Sequence, residues 1–186
     1  MTLSLVLNAM SDDASDQAQH LISFINDNSL DDSLAKVFIF YEPDKELLAK
    51  ETSHVFSSGD VTLVYMPFYD TGEVVGFLKE ELKGCDLILL PDNIFGTEIS
   101  SRLALRLGAL SMNRILSLCM GEGYAQITKN IYSGYLCAKY LLRGERFVFT
   151  VDKALKTSKP KALSKAESPL HTSHKKLQIP HQKNGF

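Results

Sequence analysis

Asn93, Gly96 and Thr97 stand in the segment 91–97 (PDNIFGT), which follows the apolar run 87–90 (LILL) and opens a stretch with helical spacing. A turn at the carboxyl end of a strand, leading into a helix, aims backbone N–H groups and the positive end of the helix dipole at an anion such as phosphate. The same turn is also an ordinary strand-to-helix connection in which Gly96 eases the backbone. One glycine stands where a dinucleotide fingerprint has three, and no GxxxxGK[ST] is present. Arg102 and Arg106, four apart on the following helix, could meet a phosphate or a partner's carboxylate, or simply form its polar face. Asp12, Asp13 and Asp16 read as helix-capping and dipole-complementing residues rather than a metal or acid–base set. His20 and His54 have no cysteine or histidine at ligand spacing, and His171, His174 and His181 share a lysine-rich segment. The three cysteines, Cys85, Cys119 and Cys137, lie far apart in apolar stretches and read as small buried hydrophobes without a CxxC pair. No GxSxG or HExxH occurs. The sequence therefore shows no catalytic constellation and no metal site, and predicts a protein that is not a complete enzyme.

The elements that must carry these residues alternate. Residues 3–8 (LSLVLN), 37–41 (VFIFY), 61–66 (VTLVYM) and 87–90 are short apolar runs, the pattern of strands buried on both faces of a parallel sheet. Between them lie helical spacings, with Ala18, Leu21, Ile22 and Ile25 on the first, residues 44–54 on the second, and Val74, Val75, Phe77, Leu78 and Leu82 on the third. A fourth helix spans 96–107, with Ile99, Leu103, Ala104 and Leu107 on one face. Four strand–helix units in series imply a doubly wound, mostly parallel α/β sheet with right-handed crossovers. Beyond it, runs at 115–120, 125–131, 136–142 and 147–151 are joined by Gly121-Glu122-Gly123, Ser133-Gly134 and Gly144-Glu145. These turns leave no room for helices and predict an antiparallel C-terminal extension.

Charge divides the chain. Of its net −2, residues 153–186 carry +7, eight lysines against Glu167, so residues 1–152 carry −9. An acidic body is no nucleic-acid footprint. Hydrophobic residues make up 45 % of the chain and charged residues 23 %, an ordinary globular composition. No apolar run reaches the roughly 20 residues of a membrane span, and the start lacks a basic signal-peptide region, so the expectation is cytoplasmic. Residues 1–152 read as one domain, and 153–186, with Pro160, Pro169 and Pro180, as a basic linker or disordered tail.

Residues 86–152 resemble the N-terminal domain of the alpha subunit of electron-transfer flavoproteins, a fold similar to the adenine nucleotide alpha-hydrolases. The match runs through 86–91 (DLILLP), Gly96, residues 102–107 (RLALRL), Gly121-Glu122-Gly123 and Tyr132-Ser133-Gly134. Residues 1–85 follow the family only in strand–helix order. Thr97 stands where the family has arginine, Asn113 where it has aspartate, and Ser133-Gly134 where it has paired glycines. The resemblance implies a role in electron transfer with acyl-CoA dehydrogenases or reductases. It also implies a heterodimer, in which this domain docks a beta-type subunit while FAD sits on a C-terminal domain of the complete complex, supplied here by a separate chain if at all. None of the family's FAD-contacting positions falls within this chain, so no cofactor is expected on the chain alone. Tyr132 and Tyr135, in a stretch that also holds Ile131, Leu136, Tyr140 and Leu141, are the candidate partner contacts, against the plainer reading that they pack on their own domain. The other reading of the chain is a stand-alone adenine-nucleotide-binding module using the 91–97 turn.

Overall fold

The computed structural model describes residues 1–57, 59–153 and 172–177. Nine strands among them form one sheet: β1 Leu3–Asn8, β2 Leu34–Tyr41, β3 Asp60–Tyr65, β4 Leu87–Pro91, β5 Leu110–Gly121, β6 Tyr124–Ile131, β7 Leu136–Arg143, β8 Phe147–Val151 and β9 Thr172–Lys176. Four helices connect the first five, α1 Ala14–Asp27, α2 Glu46–Ser53, α3 Thr71–Glu81 and α4 Ile94–Leu107. The strand order is β7-β6-β5-β8-β4-β1-β2-β3-β9. All neighbours run parallel except β5–β6 and β6–β7, so the fold is α/β, mostly parallel, with an antiparallel extension at one end.

The strands at the centre are continuous apolar runs because both of their faces are covered. Along β1, Leu3, Leu5 and Leu7 join one core with Leu21 and Ile25 of α1, while Val6 joins the other with Leu78 of α3 and Leu103 of α4. β8 is buried along its whole length, and Phe147 and Phe149 stack obliquely with ring centroids 5.6 Å apart. Burying each such side chain contributes roughly 1.5–3 kcal/mol.

Three expectations need correction. The run 147–151 is not antiparallel: β8 returns into the sheet between β4 and β5 and runs parallel to both. β5 starts at Leu110, five residues before the expected run, because residues 110–112 pair with β8 through their backbone while their side chains stay largely exposed. Within the segment read as linker or tail, Thr172–Lys176 is a strand on the outer edge of β3, and Leu177 is buried against the α3/α4 core. Lys175 and Lys176 lie over the rings of Phe77 and Tyr65, and Thr62 shares a hydroxyl hydrogen bond with Ser173. A strand of lysines held by its backbone, two cation–π contacts and one apolar anchor leaves little trace in hydrophobic periodicity. The rest of the tail, with His171 and His181, lies outside the described residues.

Candidate functional site: the carboxyl edge of the sheet and the antiparallel arm

Strand order reverses between β1 and β4, and the crevice beyond their carboxyl ends is where open α/β sheets bind ligands. The 91–97 turn lies there. Asn93 caps α4: its Oδ1 accepts the Gly96 N–H at 2.7 Å, and its carbonyl accepts the Thr97 N–H at 2.9 Å. Its Nδ2 donates to Gln17 Oε1 at 2.8 Å and to Asn8 Oδ1 at 3.3 Å. Asn93, Gly96 and Thr97 thus do come together, but two of the helix's N–H groups are already taken by Asn93. A phosphate could reach the Gly96 N–H only by displacing that side chain. Gly96 has a packing reason as well: a Cβ there would stand 1.9 Å from the Pro91 carbonyl oxygen.

Beside this turn lies a cluster that sequence spacing did not mark. Arg114, at φ 61° in the β5 bulge, places Nε 3.2 Å from Asp92 and 3.6 Å from Asp152. Its N–H donates to Thr150 Oγ1, and His20 Nε2 donates to the Asp152 carbonyl at 2.8 Å. These residues come from α1, β5, β8 and the positions just past β4 and β8, so only the three-dimensional fold unites them. The arrangement ties the inserted β8 to its neighbours. On α1 the expected side-chain cap is absent: Asp13 makes no cap hydrogen bond and instead accepts from the Ser11 hydroxyl, which holds its carboxyl below the usual range.

α4 presents Glu98 to α3. Its carboxylate accepts from Thr71 Oγ1 at 2.8 Å and Tyr69 OH at 3.0 Å, and pairs with Arg102 at 3.4 Å. The two hydroxyls hold Glu98 below the ordinary carboxylate range, with Arg102 adding to the effect. Arg102 and Arg106 line a groove of about 420 Å³ between α3 and α4 with Lys79 and Leu105. At the opposite end of the sheet a wider cleft of about 840 Å³ is lined by Asp27, Asp86, Glu122 and Glu145. Among the described residues no group of three or more His, Cys, Asp or Glu side chains is placed to hold a metal ion, and no helix is long and apolar enough to cross a membrane. Cys85 is buried as expected, whereas Cys119 and Cys137 are exposed, because β5 and β7 turn one face of the extension outward.

Among the described residues the extension carries a concentration of exposed large apolar and aromatic side chains. β5, β6 and β7 project beyond the helices as an antiparallel arm. Leu118, Ala125 and Ile127 continue the core on one face, and Tyr140 and Leu142 of β7 follow them across the register. No helix lies over the outer part of that face among the described residues. Leu136 and Leu141 are more than half exposed, and Tyr132 and Tyr135, at the tip, are 74 % and 88 % exposed. The tyrosines therefore do not pack on their own domain. The tip turn holds Tyr132, Ser133 and Gly134 at φ 49°, 54° and 92°. A non-glycine residue in the left-handed region costs about 1–2 kcal/mol, and such strain persists where the surroundings or a function require it.

Against known proteins, no family model matches the chain and no curated protein matches it.

Proposed function

We propose that this chain is a docking subunit of the electron-transfer flavoprotein type. Its arm seats a beta-type subunit, and FAD is held elsewhere in the assembly, which exchanges electrons with an acyl-CoA dehydrogenase or reductase. The observation that carries the docking role is the arm tip, where two tyrosines stand in solvent on a strained turn. Tyrosine suits an interface because its ring is apolar and its hydroxyl tolerates water. The partner class rests on the resemblance over residues 86–152, which fall on β4, α4 and the whole of β5 to β8.

The test is the double variant Tyr132→Ser, Tyr135→Ser, expressed in the native host beside the unmodified chain. The unmodified chain is expected to be colourless alone and to co-purify with a second subunit in a complex that absorbs as a flavoprotein. The variant should lose that complex while its thermal midpoint stays within a few degrees, the shift expected for roughly 1 kcal/mol. A flavin band on the isolated chain through gel filtration, or a flavin-bearing complex that survives the double substitution, overturns the proposal. Outright unfolding of the variant returns the tyrosines to the fold and removes the interface.

A further inference from the structure

The two edges of the sheet are treated differently. At one edge β9 covers β3, and β9 is short, polar and studded with lysine, the kind of strand that discourages further pairing. At the other edge stands β7, eight residues long, paired to β6 in unbroken register from Tyr124↔Arg143 to Ile131↔Leu136. It contains no proline and no bulge, and its outer edge meets no element among the described residues. An eight-residue strand extends about 26 Å and turns the N–H and C=O groups of alternate residues outward.

The side chains say what would pair there. Residues 124–143 contain Lys129, Lys139 and Arg143 and not one carboxylate. On β7, Lys139 and Arg143 share a face with Leu141, and Tyr140 and Leu142 share the other. Two occupants close at hand have the wrong charge. Of the chain's own C-terminal segment, Thr172–Lys176 already lies on β3, and residues 154–171 and 178–186 together hold five lysines against Glu167, a charge of +4. A second copy pairing antiparallel about the middle of β7 sets Lys139 directly or diagonally opposite its own mate, and like charges so placed are destabilising.

We infer that the open edge of β7 accepts an antiparallel strand of a partner protein that alternates apolar with acidic residues, its carboxylates meeting Lys139 and Arg143. The inference rests on the docking role proposed above and adds its mode: main-chain hydrogen bonds supply affinity, and the alternation supplies selectivity.

The probe is a synthetic nine-residue peptide alternating valine with glutamate, titrated into the full ¹⁵N-labelled chain, with a valine–lysine peptide as control. Amide exchange is expected to slow at every second residue of β7, since the interleaved amides already bond to β6. The lysine peptide should bind more weakly by a factor of about four or more, since each of the two cross-strand pairs, with Lys139 and with Arg143, turns from opposite to like charge. The variant Lys139→Glu, Arg143→Glu should invert the preference. No binding up to roughly 1 mM, where association is only about 4 kcal/mol, overturns the inference. So does slowing along β3 instead of β7, equal affinity for the two peptides, or alternate protection without peptide in a concentration-dependent dimer. If these results fail while Tyr132 and Tyr135 still govern formation of the flavin-bearing complex, the edge mode falls and the docking role stands. If both fail, the docking role falls too.

Discussion

Gly96 and Gly76 sit in neighbouring helices, and the same substitution at the two should act in opposite directions. A Cβ at Gly96 would lie 1.9 Å from the Pro91 carbonyl oxygen and 3.3 Å from Asn93 Oδ1. The obstacle is backbone, so α4 must retreat from the end of β4 by more than an ångström, and the Asn93 cap stretches with it. Overpacking of this kind costs about 1–3 kcal/mol and a weakened N-cap about 1 kcal/mol more. Gly96→Ala should therefore lose about 2–4 kcal/mol and lower the thermal midpoint by roughly 4–16 °C for a chain of this size. Gly76 lies inside α3, and a Cβ there meets nothing within 4 Å. Gly76→Ala gains helix propensity without a clash, about 0.5–1 kcal/mol, and should raise the midpoint by roughly 1–4 °C. Differential scanning calorimetry on the two single variants reads both. A Gly96→Ala midpoint within about 2 °C of the parent, or two shifts of the same sign, would refute the steric argument.

Two further outcomes follow from the side-chain environments. Cys119 and Cys137 should react promptly with a thiol reagent such as Ellman's, whereas Cys85, buried and with its thiol pushed up chiefly by that burial, should react only on unfolding; three fast thiols would contradict this placement. Glu98, held below its ordinary 4.5 by Thr71, Tyr69 and Arg102, contributes stability that is present above that value and is lost as pH falls through its lower folded-state value. The midpoint advantage of the parent over Glu98→Gln should accordingly shrink on acidification below about pH 4.5, and an advantage that stays flat to pH 3 would show that the carboxylate's charge is irrelevant.

Much of the fold can be read in the sequence because its determinants are local. The strands β1 to β4 are buried on both faces and appear as uninterrupted apolar runs, and the helical spacing of Val74, Val75 and Leu78 gives α3 directly. What escapes is pairing at a distance. Nothing near residue 147 says that the strand will slide between β4 and β5, since its flanking Gly144-Glu145 turn looks like one more hairpin. The register shift of β5 against β8 between Met112 and Ile115 holds Arg114 in a left-handed backbone, which its residue type does not announce. β9 escapes for a different reason: its hold on β3 comes from backbone and lysine stems, and no apolar alternation marks it. At the candidate site, Ile131, Tyr132, Tyr135, Leu136, Tyr140 and Leu141, too many large apolar side chains for one buried hairpin face, are the sequence trace of the arm. The cluster of Asp92, Arg114 and Asp152 joins three distant stretches of the chain, past β4, within β5 and past β8, and carries no sequence signature.

The insertion of β8 also sets an order of events on the ribosome. Strands β1 to β4 can pair as they emerge, and β5 to β7 can form their hairpins, yet β5 has only β6 and β8 as neighbours. Until Phe147–Val151 leaves the exit tunnel, the arm is joined to the nascent sheet by α4 and a short link alone. For that interval the chain holds two half-built sheets, one ending at the bare edge of β4 and the other at the bare edge of β5. Each bare edge fits the strand that is still missing. A pause before residues 147–151 have emerged from the tunnel would leave both edges open to neighbouring chains, and a pause after they have emerged would not.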